Sequence, residues 1–156
     1  MKVKRKSGGI LLYRQQKQLE FFLVHPGGPF WINKDAGAWS IPKGEFDDDE
    51  DALEAAKREF EEETGCKLSG NFIALAPVVQ KAGKQVYAWA IEENIDVLTI
   101  RSNTFKIEWP PKSGKWKEYP EIDKAAWFDC TTAKEKINPA QMAFIDELTD
   151  KLKPHT

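Results

Sequence analysis

Cysteine is scarce in this 156-residue chain: Cys66 and Cys130 are too few for a disulfide framework and lack the spacing of a metal site. That usage suits a reducing compartment. No apolar run approaches the roughly 20 residues that span a membrane. After the basic start Met1-Lys2-Val3-Lys4-Arg5-Lys6, the run Ile10-Leu11-Leu12 is too short for a signal peptide's apolar segment. An excess of one charge is missing as well. With 23 Lys and Arg against 25 Asp and Glu, the formal net charge is -2, which gives a nucleic-acid partner no support. Repeats, low-complexity tracts and interdomain linkers are also lacking. What is present is apolar material, 41% of the chain, enough for a real core in one ordinary domain over 1–156. The expected class is a cytoplasmic, soluble domain.

Residues 8–14 and 19–24 read as strands, short and rich in apolar, β-branched and aromatic types, with 15–18 as the turn between them. His25-Pro26-Gly27-Gly28-Pro29 is a loop. A short extended piece at Trp39-Ser40-Ile41 leads into Pro42-Lys43-Gly44. The clearest helix runs from Asp49 to Thr64, with Asp47-Asp48-Asp49 at its N-terminus and Gly65 placed to end it in a left-handed conformation. Strands are expected near 72–80 and 85–92, an irregular loop over 110–120, a short strand at 125–129 and a closing amphipathic helix over 139–152. Strands and helices mix without regular βαβ alternation, so the fold class is α+β, a sheet-and-helix sandwich.

On the helical wheel Glu59, Glu62 and Glu63 share one face with Ala52 and Ala55, beside the apolar stripe of Leu53 and Phe60. The plainly solvated side holds Glu50, Glu54, Lys57 and Glu61. Clustered carboxylates on a helix repel, by about 0.2–0.5 kcal/mol for a like-charged i,i+4 pair such as Glu59 and Glu63. Partial burial raises that cost and pushes a carboxyl pKa upward. A hard cation relieves it, because Mg²⁺ takes carboxylate oxygens and keeps waters for a substrate. Arg58 offers a planar fork to the same carboxylates. From the wheel alone, a charged surface helix with an accidental glutamate cluster serves equally well.

The segment from Gly44 to Cys66 resembles the Nudix box, G-x5-E-x7-R-E-U-x-E-E-x-G-U, where U is a bulky aliphatic residue. Gly44, Glu50, Arg58, Glu59, Glu62, Glu63 and Gly65 occupy its seven fixed positions with every spacing intact. Phe60 and Cys66 take the two U positions, departing from the usual Ile, Leu or Val while remaining apolar. The entry Trp39-Ser40-Ile41-Pro42-Lys43-Gly44 and the strand order extend the likeness, more loosely, over most of the chain.

The resemblance implies a hydrolase for nucleoside diphosphates linked to another group, folded as an α/β/α sandwich around a central mixed sheet. It implies a box arranged as loop–helix–loop that holds Mg²⁺ or Mn²⁺. Carried over, Glu59, Glu62 and Glu63 are metal ligands to which the Gly44 carbonyl adds another, and Glu50 and Arg58 support the loop. Glu121, six residues before Trp127, resembles a further glutamate that some relatives use outside the box. A polyphosphate cannot approach such a face without cations that reverse the local charge. Glu59, Glu62 or Glu121 would then take the proton of the attacking water.

The short build and the entry motif look most like dinucleoside polyphosphate hydrolases, with diadenosine tetraphosphate as the model substrate. ADP-ribose, (oxidised) nucleoside triphosphates and a non-catalytic nucleotide-binding module are the alternatives. The expected partner is a small nucleotide. Outside the box, Lys43 is a candidate phosphate contact, equally readable as a solvated lysine after a turn. Trp31 and Tyr87, with Trp89 and Trp109, are candidates for base stacking, although ordinary packing explains such residues more often. His25 reads as structural. The basic start offers a grip on an anion or a lysine-blunted strand edge.

Overall fold

The computed structural model describes residues 5–153, so the basic-start residues Lys2 and Lys4, and His155, lie outside the described residues. The first strand, β1 (Lys6–Gln15), carries apolar side chains on both faces. Ile10 and Leu12 face one way, Leu11 and Tyr13 the other, and all four are buried, as a strand covered by helices on both sides requires. β2 (Leu19–Pro26) returns beside it, followed after a long loop by β3 (Lys43–Glu45) and the helix α1 (Ala52–Thr64). β4 (Ile73–Val79) and β5 (Gln85–Glu92) come next. β6 (Thr104–Glu108) and β7 (Trp116–Pro120) form a separate two-stranded sheet. The chain closes with β8 (Ile122–Asp129), α2 (Cys130–Lys136) and α3 (Met142–Lys151).

The main sheet has the order β4-β5-β1-β2-β8, with β3 paired to β1. β1 and β5 are parallel and the other pairs antiparallel, so the sheet is mixed. β5 occupies one whole edge of β1, from Lys6 to Tyr13. The other edge is divided. Ser7 to Gly9 pair with β3, and Tyr13 to Gln15 pair with β2. The sheet therefore forks between β3 and β2, and the fork positions the site.

α1 covers one face. Phe60 is fully buried against Phe22, with ring centroids 6.2 Å apart, in a cluster with Ile10 and Leu12. α2 and α3 cover the other through Ala133, Phe144, Ile145 and Leu148. The small residues of α1 admit β1 closely: a Cβ on Gly8 would stand 3.0 Å from the Ala52 carbonyl and 3.3 Å from Ala56 Cβ. Phe60 at a U position thus has the large pocket that an aromatic ring demands. Phe60→Ala is expected to cost about 3–5 kcal/mol of stability through the cavity it leaves, read as a lowered midpoint in urea unfolding. A change below ~1 kcal/mol would contradict this packing.

Three expectations need correction. The helix begins at Ala52 and its N-cap is Asp51, whose carboxylate accepts from the Glu54 N–H. The Asp47–Asp49 run lies before it: Asp47 closes a turn with Glu50, and Asp48 pairs with Lys6 at 2.6 Å. A charge run marks a helix start within a turn, and local hydrogen bonding decides which aspartate caps it. Second, 110–120 is not wholly irregular, since β7 pairs with β6 from Glu108↔Trp116 to Thr104↔Pro120. Pro110, Pro111 and Gly114 belong to its turn, where Glu108 accepts from the N–H groups of Lys112 and Gly114. Third, 139–152 opens as a short 3-10 turn before α3, and α2 stands ahead of it, capped by Asp129. Gly65 ends α1 with φ 78°, in the left-handed conformation that its position requires.

Candidate functional site

The fork opens into a cleft of about 270 Å³ between the end of β2, the start of β8 and the segment 37–43. Lys43, Glu63 and Glu121 meet at one part of its wall, with Trp31 on its rim. Lys43 comes from β3, Glu63 from the last turn of α1 and Glu121 from the residue before β8, so the fold joins groups up to 78 positions apart. The Glu121 backbone is fixed on both sides, its N–H donating to Asn103 and its carbonyl accepting from Gly27.

Beside the cleft, Arg58 gathers the acidic residues of the box. Its Nη1 stands 2.5 Å from Glu50, its Nη2 donates to Glu59 at 3.1 Å, and its Nε lies 3.8 Å from Glu62. Glu59 reaches back over β3. A Cβ on Gly44 would sit 2.0 Å from the Glu59 carboxylate, so only glycine leaves that space open. The Lys43 N–H, one residue earlier, donates to Glu63 Oε2 at 3.1 Å.

Like charge and burial here oppose ionisation. Burial first, then Glu59 and Glu121, push the Glu63 carboxyl up to about 8, an effect that Lys43 only partly offsets. Burial also raises Glu59, helped by Glu62 and Glu121 and opposed by Arg58. Burial chiefly, with repulsion from Lys84, lowers the Lys43 ammonium. The raised pKa of Glu63 has a stability consequence. Between about 4.5 and about 8 the folded chain holds a proton that the unfolded chain has released, so stability falls as pH rises through that window. Thermal unfolding of the metal-free protein from about pH 5 to about 9 is expected to show a declining Tm that Glu63→Gln flattens. An unchanged slope in that variant would assign the decline to other groups.

The donor set suits a hard divalent cation: carboxylate oxygens short of positive charge, one of them seated over a glycine whose missing Cβ makes the room. Among the described residues, no three acidic, His or Cys side chains already stand as a ready ligand set. Arg58 instead lies among the carboxylates and supplies their counter-charge.

The structure brings together Gly44, Glu50, Arg58, Glu59, Glu62 and Glu63, with Lys43, Glu121 and Trp31 at the adjoining cleft. Tyr87 is not among them. Its ring packs edge-on against Phe46, 6.1 Å between centroids, its hydroxyl donates to Gln85, and it lines no part of the cleft. Alternation along β5 puts Tyr87 on the α1 face with Trp89 and Ile91, and no residue of β5 lines the cleft. Trp89 packs into the core beneath α1, and Trp109 lies edge-on to Phe30 at 4.9 Å. His25 is buried, one ring nitrogen 2.7 Å from Asp123 and the other 2.6 Å from the Lys34 carbonyl, a brace for the loop that bears Trp31.

Besides Ser40 of the entry, the cleft holds three amides that no sequence motif marks: Gln80, Asn138 and Gln141. Gln141 is fully buried. Amide side chains at strand and turn ends have no spacing pattern, so only the folded chain shows that they converge.

A family model for the NUDIX domain matches residues 3–148. The chain belongs to the Nudix family. With membership comes the family's chemistry, hydrolysis of a pyrophosphate bond in a nucleotide derivative. The fold is shared with solved Nudix structures. An Ap4A hydrolase from C. elegans is 19% identical with a TM-score of 0.65, over 97% of this chain and all (100%) of that one. The NUDIX domain of Shewanella oneidensis NrtR, solved with ADP ribose, is 15% identical with a TM-score of 0.67, over 98% and 91%. A MutT protein from Methanosarcina mazei Go1 is 20% identical with a TM-score of 0.62, over 98% of each chain. No curated protein sequence matches. No helix among the described residues of this Nudix chain is long and apolar enough to cross a membrane.

Proposed function

We propose that this Nudix hydrolase cleaves a dinucleoside polyphosphate, with diadenosine tetraphosphate as the model substrate and Mg²⁺ or Mn²⁺ as cofactor. The observation that carries the reading is that Glu63 and Glu121, from two distant segments, meet Lys43 in the cleft wall beside a Glu59 carboxylate seated over Gly44. Glu59, Glu62, Glu63 and the Gly44 carbonyl would hold the cation. When bound, it supplies counter-charge for the polyphosphate and a more acidic water. Lys43 faces the phosphates from the cleft wall. Arg58, anchored by Glu50, keeps Glu59 and Glu62 in place.

The proton of the attacking water needs a carboxylate that is ionised and not already tied. Glu63 retains its own proton near neutral pH before a cation binds, and Glu59 is engaged by Arg58. Of the candidates Glu59, Glu62 and Glu121, only Glu121 makes no ion pair with Arg58 among the described residues. Water attack at phosphorus then releases two phosphorylated fragments. The cytoplasmic reading rests on the two free thiols, Cys66 and Cys130.

The branch within the family rests on the Trp39-to-Gly44 entry, and likeness to an Ap4A hydrolase over its whole length supports it. The test is a product assay with Mg²⁺ on diadenosine tetraphosphate, ADP-ribose, a nucleoside triphosphate and an oxidised guanine nucleotide. Preferred cleavage of the first bears out the proposal. Preference for another moves the chain to that branch, and metal-dependent binding without cleavage makes it a nucleotide-binding module.

A further inference from the structure

The pairing of β2 with β8 changes step where it reaches the cleft. From Glu20↔Asp129 to His25↔Lys124 the two strands advance together, and the next pair is Pro26↔Ile122, so Asp123 is an extra residue on β8. Such a bulge reverses the alternation of side chains beyond it. Ala125 and Trp127 lie with the cluster under α1, and Ala126 and Phe128 with the cluster under α2 and α3. Regular alternation would send Ile122 the way of Ala126. Ile122 is buried instead with Ile10, Phe22 and Val24 under α1. Glu121, the next residue, is turned with it. Its carbonyl accepts from the Gly27 N–H at 2.9 Å, where an unbulged ladder would set Ile122 opposite Gly27. The side chain then lines the cleft with Lys43 and Glu63.

The extra residue is held by a side chain that the proposed chemistry leaves unused. Buried His25, on the facing strand, places Nδ1 2.7 Å from Asp123 Oδ1. Its Nε2 meets the Lys34 carbonyl at 2.6 Å, and because a carbonyl only accepts, this nitrogen donates. The ring is seated edge-on against Trp39, with centroids 5.3 Å apart. We infer that His25 is a positioning residue for Glu121: through Asp123 it holds the bulge whose register delivers Glu121 to the cleft. The inference rests on the proposed function in taking Glu121 as a group that meets the attacking water.

Two variants divide the two bonds of the imidazole. His25→Gln keeps a donor near the Nε2 position, and with it the Lys34 bond, whereas His25→Asn keeps one near the Nδ1 position, and with it the Asp123 bond. Asp123→Ala removes the same link as His25→Gln from an exposed position that the core does not need. Both are expected to lower kcat for Mg²⁺-dependent cleavage of diadenosine tetraphosphate about 100-fold, the scale for a catalytic group displaced by roughly an ångström, with KM little changed. His25→Asn and Asp123→Asn, which preserve the link, should stay near wild type. In a Glu121→Gln background both losses should vanish, because a residue that acts through Glu121 has nothing left to place. Hydrogen exchange of the Gly27 amide, bonded to the Glu121 carbonyl, reads the register without turnover and should quicken about tenfold in His25→Gln and Asp123→Ala. Losses that add to that of Glu121→Gln, or Gly27 exchange indifferent to both variants, would overturn the inference. An active wild type with indifferent exchange removes the inference and keeps the hydrolase. Exchange that depends on both residues in a chain that cleaves nothing removes the hydrolase and keeps the placement of Glu121.

Discussion

Glu62→Gln is expected to lower kcat for metal-dependent cleavage about 10²–10⁴-fold, the range for losing a positioned proton acceptor, and to leave the fold intact. The Glu62 side chain is half exposed and its nearest charged partner, Arg58 Nε, is 3.8 Å away, so the neutral isostere removes little from the folded state. Glutamine keeps the shape and one carbonyl oxygen but loses the negative charge that a cation or a water proton requires. Measuring kcat, the Mg²⁺ concentration at half-maximal rate and Tm together tests the proposal. A variant with wild-type kcat would remove Glu62 from the machinery, whatever its place in the box. Loss of activity with an equally large fall in Tm would mean that the carboxylate is structural.

Gly44→Ala is expected to reduce kcat about 100-fold, the scale of effect when a catalytic group is displaced by roughly an ångström. The added methyl would lie 2.0 Å from Glu59 Oε2 and 2.1 Å from its carboxyl carbon, so the Glu59 carboxylate must move. That carboxylate ends a flexible side chain, and the movement is cheap for the fold. It is costly for function, because the Arg58 contact at 3.1 Å and the set of oxygens facing a cation are both disturbed. The decisive comparison is a double-mutant cycle. If the glycine exists to seat Glu59, adding Gly44→Ala to Glu59→Ala should cost almost nothing further, whereas independent roles would give additive losses.

Much of the site is legible in the amino-acid sequence, because a helix converts spacing into proximity. Glu59, Glu62 and Glu63 lie within one turn, and 3.6-residue periodicity places them on one side whatever else the chain does. Arg58 meets Glu50 because the turn before Asp51 brings Glu50 back over the first turns of α1. Phe60 and Leu53 mark the buried stripe, and Gly65 marks the stop. The β6–β7 hairpin is hidden for the opposite reason. Its charged, mostly exposed strands show little contrast between faces, and their pairing is held by backbone bonds, the Phe105–Tyr119 ring contact and a Thr104–Glu118 hydrogen bond, with the Phe105 ring laid over Gly28. Tyr87 lies away from the cleft, and an aromatic side chain on a strand carries no record of which strands border a cavity.

The local sequence by itself determined the helix, its glutamate face and the family to which the box belongs, since all of these depend on contacts between residues a few positions apart. Only the tertiary structure decided what surrounds that face. The divided edge of β1 opened the cleft, the approach to β8 delivered Glu121, and Gln141, 100 residues from Ile41, met its N–H in the cleft wall. Those are long-range hydrogen bonds and packings, in which each partner is chosen by the fold as a whole and neither carries a mark of the other in its own stretch of chain.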